Sequence, residues 1–213
     1  MANKILILGS SGSGKSSSIK NLDHKETFII KCLEKDLPFK NSRKKYCIEE
    51  KNIFVKNNPA SIIKMLGKIN LKEEVKTVII DDSNYIMTYE YKRKAGEKGY
   101  GKFETMAFDF MDILDFVDSM RPNINVYFMA HTEKDHEGEK SFKSIGKFLS
   151  EKLVIEGLFT IVLLANGMID DYKFTTNGVI PAKTPFEMFS ENLIDNDLAV
   201  INETIKEYYE GDE

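Results

Sequence analysis

Lys4-Ile5-Leu6-Ile7-Leu8 (KILIL) runs straight into Gly9-Ser10-Ser11-Gly12-Ser13-Gly14-Lys15-Ser16-Ser17 (GSSGSGKSS). The first part is a short, unbroken apolar run, the pattern of a buried parallel strand. The second part fits G-x-x-x-x-G-K-[ST], and each fixed position has a mechanical reason. The glycines let the backbone curl until several N–H groups point at one anion. Lys15 is long enough to reach the β- and γ-phosphates, and the Ser16 hydroxyl is placed to ligate Mg²⁺. A helix predicted over Lys15 to Leu22 would add its positive end. A flexible Gly/Ser turn could match by chance, with odds of roughly one in a hundred for a chain of this length. The preceding strand and following helix are the context the motif requires. Gly9, Ser10, Ser11, Gly12, Ser13, Gly14, Lys15, Ser16 and Ser17 are therefore read as the cradle of a nucleoside triphosphate, ATP with Mg²⁺.

Outward from this loop, apolar runs and amphipathic runs alternate. Strands are predicted at Thr27–Leu33, Val75–Asp82, Ile124–Ala130 and Phe159–Ala165. Helices are predicted after Asn58-Pro59, from Ser83 to about Lys94, over Phe103–Val117 at three- and four-residue spacings, and over Ile194–Tyr208. Asn166-Gly167 is a hairpin turn signal that would pair the fifth strand with Ile169–Thr175. Tyr91–Lys102 and His131–Lys147 read as polar loops. The expected fold is α/β, a three-layer P-loop NTPase with a mainly parallel sheet and a C-terminal antiparallel hairpin. One domain is expected over 1–213, with an acidic tail at 203–213.

The bulk numbers agree with one globular domain. The chain has 213 residues, 42% hydrophobic and 30% charged, enough for one α/β core. No apolar run reaches membrane-spanning length, and none resembles a signal-peptide core, so a cytoplasmic protein without a membrane partner is expected. Cys32 and Cys47 lack metal-ligand spacing and read as reduced structural thiols. The net charge is −4. Glu203, Glu207, Glu210, Asp212 and Glu213, against Lys206 alone, account for it, so local basic patches remain open.

A phosphate loop needs a carboxylate at the end of a neighbouring apolar strand to complete its metal site. Val78-Ile79-Ile80-Asp81-Asp82 supplies one. Asp81 is read as the Mg²⁺ partner of Ser16, although two strand-end aspartates could equally cap the next helix. The base that activates water is either Asp82 or Glu34, the latter placed just after the second strand. Geometry around the γ-phosphate decides between them. His131 follows Tyr127-Phe128-Met129-Ala130, and a polar residue at the C-terminal edge of a parallel strand sits on the ligand side. It is read as a γ-phosphate sensor, with a surface loop histidine as the alternative. Lys15, Glu34, Asp82 and His131 form the candidate catalytic set.

GSSGSGKSS, Leu37-Pro38-Phe39, VIIDDSNYIM, Ala130-His131-Thr132-Glu133, Ala182-Lys183-Thr184-Pro185 and Met188-Phe189 together resemble the phage-encoded RecA-like AAA ATPases. That group includes small single-strand annealing proteins. The resemblance implies ATP binding, slow or DNA-coupled hydrolysis, and a role in phage recombination or replication, in the host cytoplasm. It implies that Gly9 to Ser17 hold ATP, that Ser16 and Asp81 hold Mg²⁺, and that a homo-oligomer could form. Lys183 would then be a cation reaching a neighbouring subunit's phosphates, or simply a solvated lysine between Pro181 and Pro185. Single-stranded DNA would meet Lys92, Arg93, Lys94, Lys98, Tyr100 and Lys102 in the first loop, where cations surround an aromatic. The second loop offers Lys140, Phe142, Lys143 and Lys147, diluted by Glu137 and Glu139. Solvated loop charges are the alternative for both. No polymerisation segment is read ahead of the first strand, a departure from filament-forming members.

Two other functions fit the same loop. A nucleoside or nucleotide kinase suits the length, but Arg43, Arg93 and Arg121 are the only arginines, and kinases commonly clamp the transferred group with arginine. A nucleotide-dependent switch could recruit a protein partner through the acidic tail. Strand order separates the first two. RecA-like ATPases insert a strand between the phosphate-loop strand and the Asp81 strand, whereas in most P-loop kinases those two are adjacent.

Overall fold

The computed structural model describes residues 1–99, 101–134, 138–145, 153–168 and 171–211. Its centre is a twisted sheet of nine strands: β1 (Asn3–Gly9), β2 (Thr27–Lys31), β3 (Ile53–Val55), β4 (Thr77–Asp81), β5 (Asn125–Lys134), β6 (Lys140–Phe142), β7 (Ile161–Met168), β8 (Asp171–Thr175) and β9 (Leu193–Asp195). The order is β3-β2-β4-β5-β1-β7-β8-β9, with β6 added to the end of β5. The strands from β3 through β7 along this path are parallel, and β8 and β9 continue antiparallel. β1 therefore pairs with β5 and β7, and β5 stands between β1 and β4.

Alternation along the strands explains the layers. Leu6, Leu8, Ile30, Ile80, Val126 and Phe128 point to one face, where α2 (Pro59–Asn70), α3 (Asn84–Arg93) and α4 (Gly101–Asp118) cover them. Ile5, Ile7, Ile29, Ile79, Tyr127 and Met129 point to the other. There α5 (Leu198–Glu210), a 3-10 helix at Ser16–Asn21 and the segment around the short α1 (Ser42–Lys45) close the second core. Successive strand residues face opposite sides, so a sheet buried on both faces needs the unbroken apolar runs the sequence has. The result is the expected three-layer P-loop fold. Asn58 caps α2 by accepting from the Ser61 N–H at 3.1 Å, and Asp197 caps α5 by accepting from the Ala199 N–H at 3.0 Å, as such residues do at helix starts. Among the described residues, no helix is long and apolar enough to cross a membrane.

Several expectations are corrected. The helix after the phosphate loop is a six-residue 3-10 helix. The Ser18 hydroxyl donates to the Lys15 carbonyl at 2.6 Å, the local bonding by which serine competes with regular helix. β5 does not end at Ala130. It runs on to Lys134 and folds back through β6, with Thr132 opposite Phe142, so much of the predicted second loop is a hairpin. Asn166-Gly167 is not the turn: both lie within β7, opposite Lys173 and Tyr172. α3 runs to Arg93 and α4 starts at Gly101, so helix takes up both ends of the predicted first loop. Ile194 belongs to β9 rather than to the last helix. Glu203, Glu207 and Glu210 of the acidic tail are exposed on α5, and residues 212 and 213 lie outside the described ones.

Candidate functional site

The C-terminal ends of β1, β4 and β5 meet at one edge of the sheet. Gly9 is the register partner of His131, and Lys31 that of Asp81. The loop leaving β1 curls through Gly12 and Gly14, whose φ values are +80° and +92°. That left-handed backbone is one glycine adopts without strain, and it gathers the N–H groups of the turn. The Ser13 hydroxyl is buried and has no hydrogen-bond partner among the described residues. Buried hydroxyls nearly always find one, and a bound phosphate oxygen would supply it. The loop thus fits an anionic phosphate group.

Lys15 is buried within this curl. Its ammonium donates to the Gly9 and Ser10 carbonyls at 2.7 and 2.9 Å. Burial lowers its pKa to about 8, against the opposing pull of Asp82 and Asp81. The Ser16 hydroxyl donates to Asp81 Oδ1 at 2.9 Å. Asp81 is buried. Burial and the neighbouring Asp82 raise its pKa, while Lys35, Ser16 and Lys15 oppose the rise. A buried carboxylate joined to a loop hydroxyl offers the kind of oxygen ligands that Mg²⁺ uses, since Mg²⁺ takes one or two protein oxygens and fills the rest with phosphate and water. No cluster of three or more acidic, His or Cys side chains that could hold a metal occurs among the described residues.

Asp82, the next residue, has a different set of partners. It adopts a left-handed backbone with φ +59°, turning the chain out of β4. Its carboxylate lies 3.3 Å from His131 Nε2 and is ion-paired with Lys35. Burial alone would raise its pKa, but His131 and Lys35 outweigh burial and hold it below the ordinary carboxylate range. The His131 ring also meets Tyr85 edge-on, with centroids 6.2 Å apart. Glu34 is exposed beyond the end of β2 and makes no hydrogen bond or ion pair with the described residues.

Four contributors escape sequence reasoning. Lys35 reads as one member of a solvated Glu34-Lys35-Asp36 run, and only folding brings it to Asp82. Asn84 follows the two aspartates and ties β4 to β5 and β6. Its side chain accepts from the His131 N–H at 2.5 Å and donates to the Lys143 carbonyl at 2.6 Å. Ser83 reinforces this through two bonds to the Met129 carbonyl. Tyr172, on β8, lies against Gly14 of the phosphate loop. The one available signal is a run of small polar residues after an apolar strand, and it does not say which strand they will hold.

The proposed DNA residues divide. Lys92 and Lys98 are exposed. Arg93 is bonded to Glu90 and Asn57, and Lys94 to Asp109 at 2.9 Å. Lys102 donates to the Glu97 carbonyl and stands 5.3 Å from the centre of the Tyr91 ring. Lys143 is exposed, with its backbone fixed beside His131. Phe142 is buried against Phe110 and is not free to stack on a base. Tyr100, Glu137 and Lys147 lie outside the described residues. Lys183 is exposed, and its backbone pairs with Val162 in the first half of β7, at the far end from the phosphate loop.

A concavity at the opposite edge of the sheet, between β1, β4, β5 and α5, is lined by Asn3, Thr77, Asn125 and Asn202. These side chains bond to one another at 2.8 to 2.9 Å, so the polar groups there hold strands and helix together.

Comparison with known proteins places the chain once this geometry is in hand. A family model described as an AAA domain matches residues 1–186. No curated protein matches the chain.

Proposed function

The chain belongs to the AAA domain family, and from that premise we propose that it is a Mg²⁺-dependent, RecA-like ATPase acting on single-stranded DNA. The observation that carries this reading is the strand order, with β5 between β1 and β4. The inserted strand brings His131 between the phosphate loop and the aspartates. A small-molecule kinase, expected to have β1 and β4 adjacent, is correspondingly disfavoured. The arginines argue the same way: Arg43 is held by Asp36, Arg93 by Glu90 and Asn57, and Arg121 by backbone carbonyls near Lys72.

Bound ATP with Mg²⁺ supplies the phosphoryl group to be cleaved and the cation that neutralises charge developing on it. The chain's own residues position and polarise. The loop N–H groups and Lys15 bind the phosphates, while Ser16 and Asp81 orient the cation. Asp82 is a poor base, since His131 and Lys35 occupy its carboxylate and keep it ionised. Its role is to hold those two at the γ-phosphate end. Glu34, unengaged and one residue from Lys35, is the proposed base.

The DNA assignment rests on the resemblance and on the exposed lysines. Lys92, Lys98 and Lys143 are the strongest phosphate contacts, with Arg93, Lys94, Lys102, Tyr100 and Lys147 as further candidates. The proposed setting is phage recombination or replication in the host cytoplasm. Self-association is part of the proposal, with Lys183 reaching a neighbouring subunit because it stands far from its own phosphate loop. The acidic face of α5 is a candidate protein-docking surface. The test is ATP turnover with and without single-stranded DNA at low salt, with Lys15→Ala as control. DNA-stimulated turnover that Lys15→Ala abolishes is expected. Unstimulated turnover together with absent DNA binding would refute the DNA assignment.

A further inference from the structure

The site's own asymmetry fixes which way a nucleotide lies. β1 has β5 on one side and β7 on the other. Everything that handles the terminal phosphate stands on the β5 side: Asp81 with Ser16, and Asp82 with His131 and Lys35. A triphosphate with its γ end there must direct its α-phosphate and nucleoside towards β7 and β8.

That side presents an aromatic ring to the loop. Tyr172 on β8 stands opposite Gly167 on β7. A Cβ built on Gly14 would lie 2.6 Å from Tyr172 Cδ1 and 3.0 Å from its Cγ, so the ring rests directly on the glycine preceding Lys15. Gly167 also approaches closely: a Cβ there would lie 3.0 Å from the Gly12 carbonyl oxygen, from Ser13 Cα and from the Tyr172 ring. The hairpin is thus seated on the phosphate loop. Yet Tyr172 remains 43% exposed, and its hydroxyl has no hydrogen-bond partner among the described residues. Phe174, two residues on, points into the core and is fully buried.

We propose that Tyr172 is the stacking platform for the nucleobase of the bound nucleoside triphosphate. This rests on the phosphate-loop reading above and adds the subsite that reading lacks. An exposed ring fixed at the nucleoside end of the loop offers a flat apolar face at little entropic cost. Stacking accepts any base, because every base has a π face. The subsite therefore distinguishes a nucleoside triphosphate from inorganic triphosphate, rather than one base from another.

The test compares Mg-ATP, Mg-GTP and Mg-tripolyphosphate binding by calorimetry to the full chain and to Tyr172→Ala, Tyr172→Phe and Lys15→Ala. Tyr172→Ala is expected to weaken ATP and GTP by about tenfold each and to leave tripolyphosphate unchanged, with Tyr172→Phe restoring the loss. Equal weakening of all three ligands by Tyr172→Ala would mean that the ring only props the loop, and would overturn the proposal. So would unchanged ATP affinity. Lys15→Ala should weaken all three ligands. If it weakens none, the phosphate-loop reading fails and takes this proposal with it.

Discussion

Lys15 meets two opposed demands. Its charge must be present to bind phosphate, yet the loop that positions it also removes it from water, and burial lowers its pKa to about 8. The sign of the consequence is fixed. Below that pH the ammonium is already charged, and nucleotide binding takes up no proton for it. Above it, a bound triphosphate must reprotonate the amine, so affinity falls by at most about tenfold per pH unit. ATP titrations between pH 7 and 10 should show the decline, and Lys15→Ala should flatten it. A wild-type affinity independent of pH over that range would contradict the burial argument. The two carboxylates separate by kinetics. Glu34→Gln should lower turnover by about a hundredfold or more with ATP affinity nearly unchanged, the loss expected for a general base. Turnover that survives the change would overturn the assignment of Glu34. The residue types of the site were legible because G-x-x-x-x-G-K-[ST] constrains them locally. Lys35 and Tyr172 were not, since nothing near them in the chain indicates that Asp82 and Gly14 will be their neighbours.

Long apolar or strongly periodic segments announce themselves, and short ones do not. β1, β2, β4, β5 and β7 carry the buried runs expected of a sheet covered on both faces, and the 18-residue α4 shows its helical spacing. β3, β6 and β9 have three residues each, too few for alternation to register. They exist because a neighbouring strand offers them hydrogen bonds. Asn166-Gly167 misleads for a related reason. A glycine beside an asparagine is read as a turn, but here the missing side chain allows β7 to touch the phosphate loop. Gly167→Ala tests that element-scale packing. Two of its three nearest neighbours are main-chain atoms, which cannot swing aside, so a loss of about 1–3 kcal/mol in urea unfolding is expected, together with weaker nucleotide binding. Stability and affinity equal to wild type would show that the hairpin and loop are not in close contact.

At the scale of the molecule, the sheet order turns separate motifs into one site. Gly9, Asp81 and His131, at the strand ends that matter here, are separated in sequence by 72 and 50 residues, and the α/β class follows from the alternation of strands with helices. Which strand lies next to which does not follow from local pattern. It emerges from the packing of α2, α3 and α4 on one face and α5 on the other. The central claim is that this packing brings Ser16 and Asp81 together as the protein half of a Mg²⁺–nucleotide centre. Calorimetric ATP affinity with Mg²⁺ and with EDTA, for the wild type and Asp81→Asn, tests it most directly. The wild type should bind about tenfold or more tightly with Mg²⁺, and Asp81→Asn should bind equally in both conditions. A wild type indifferent to Mg²⁺, or an Asp81→Asn protein that keeps the full Mg²⁺ effect, would contradict the account.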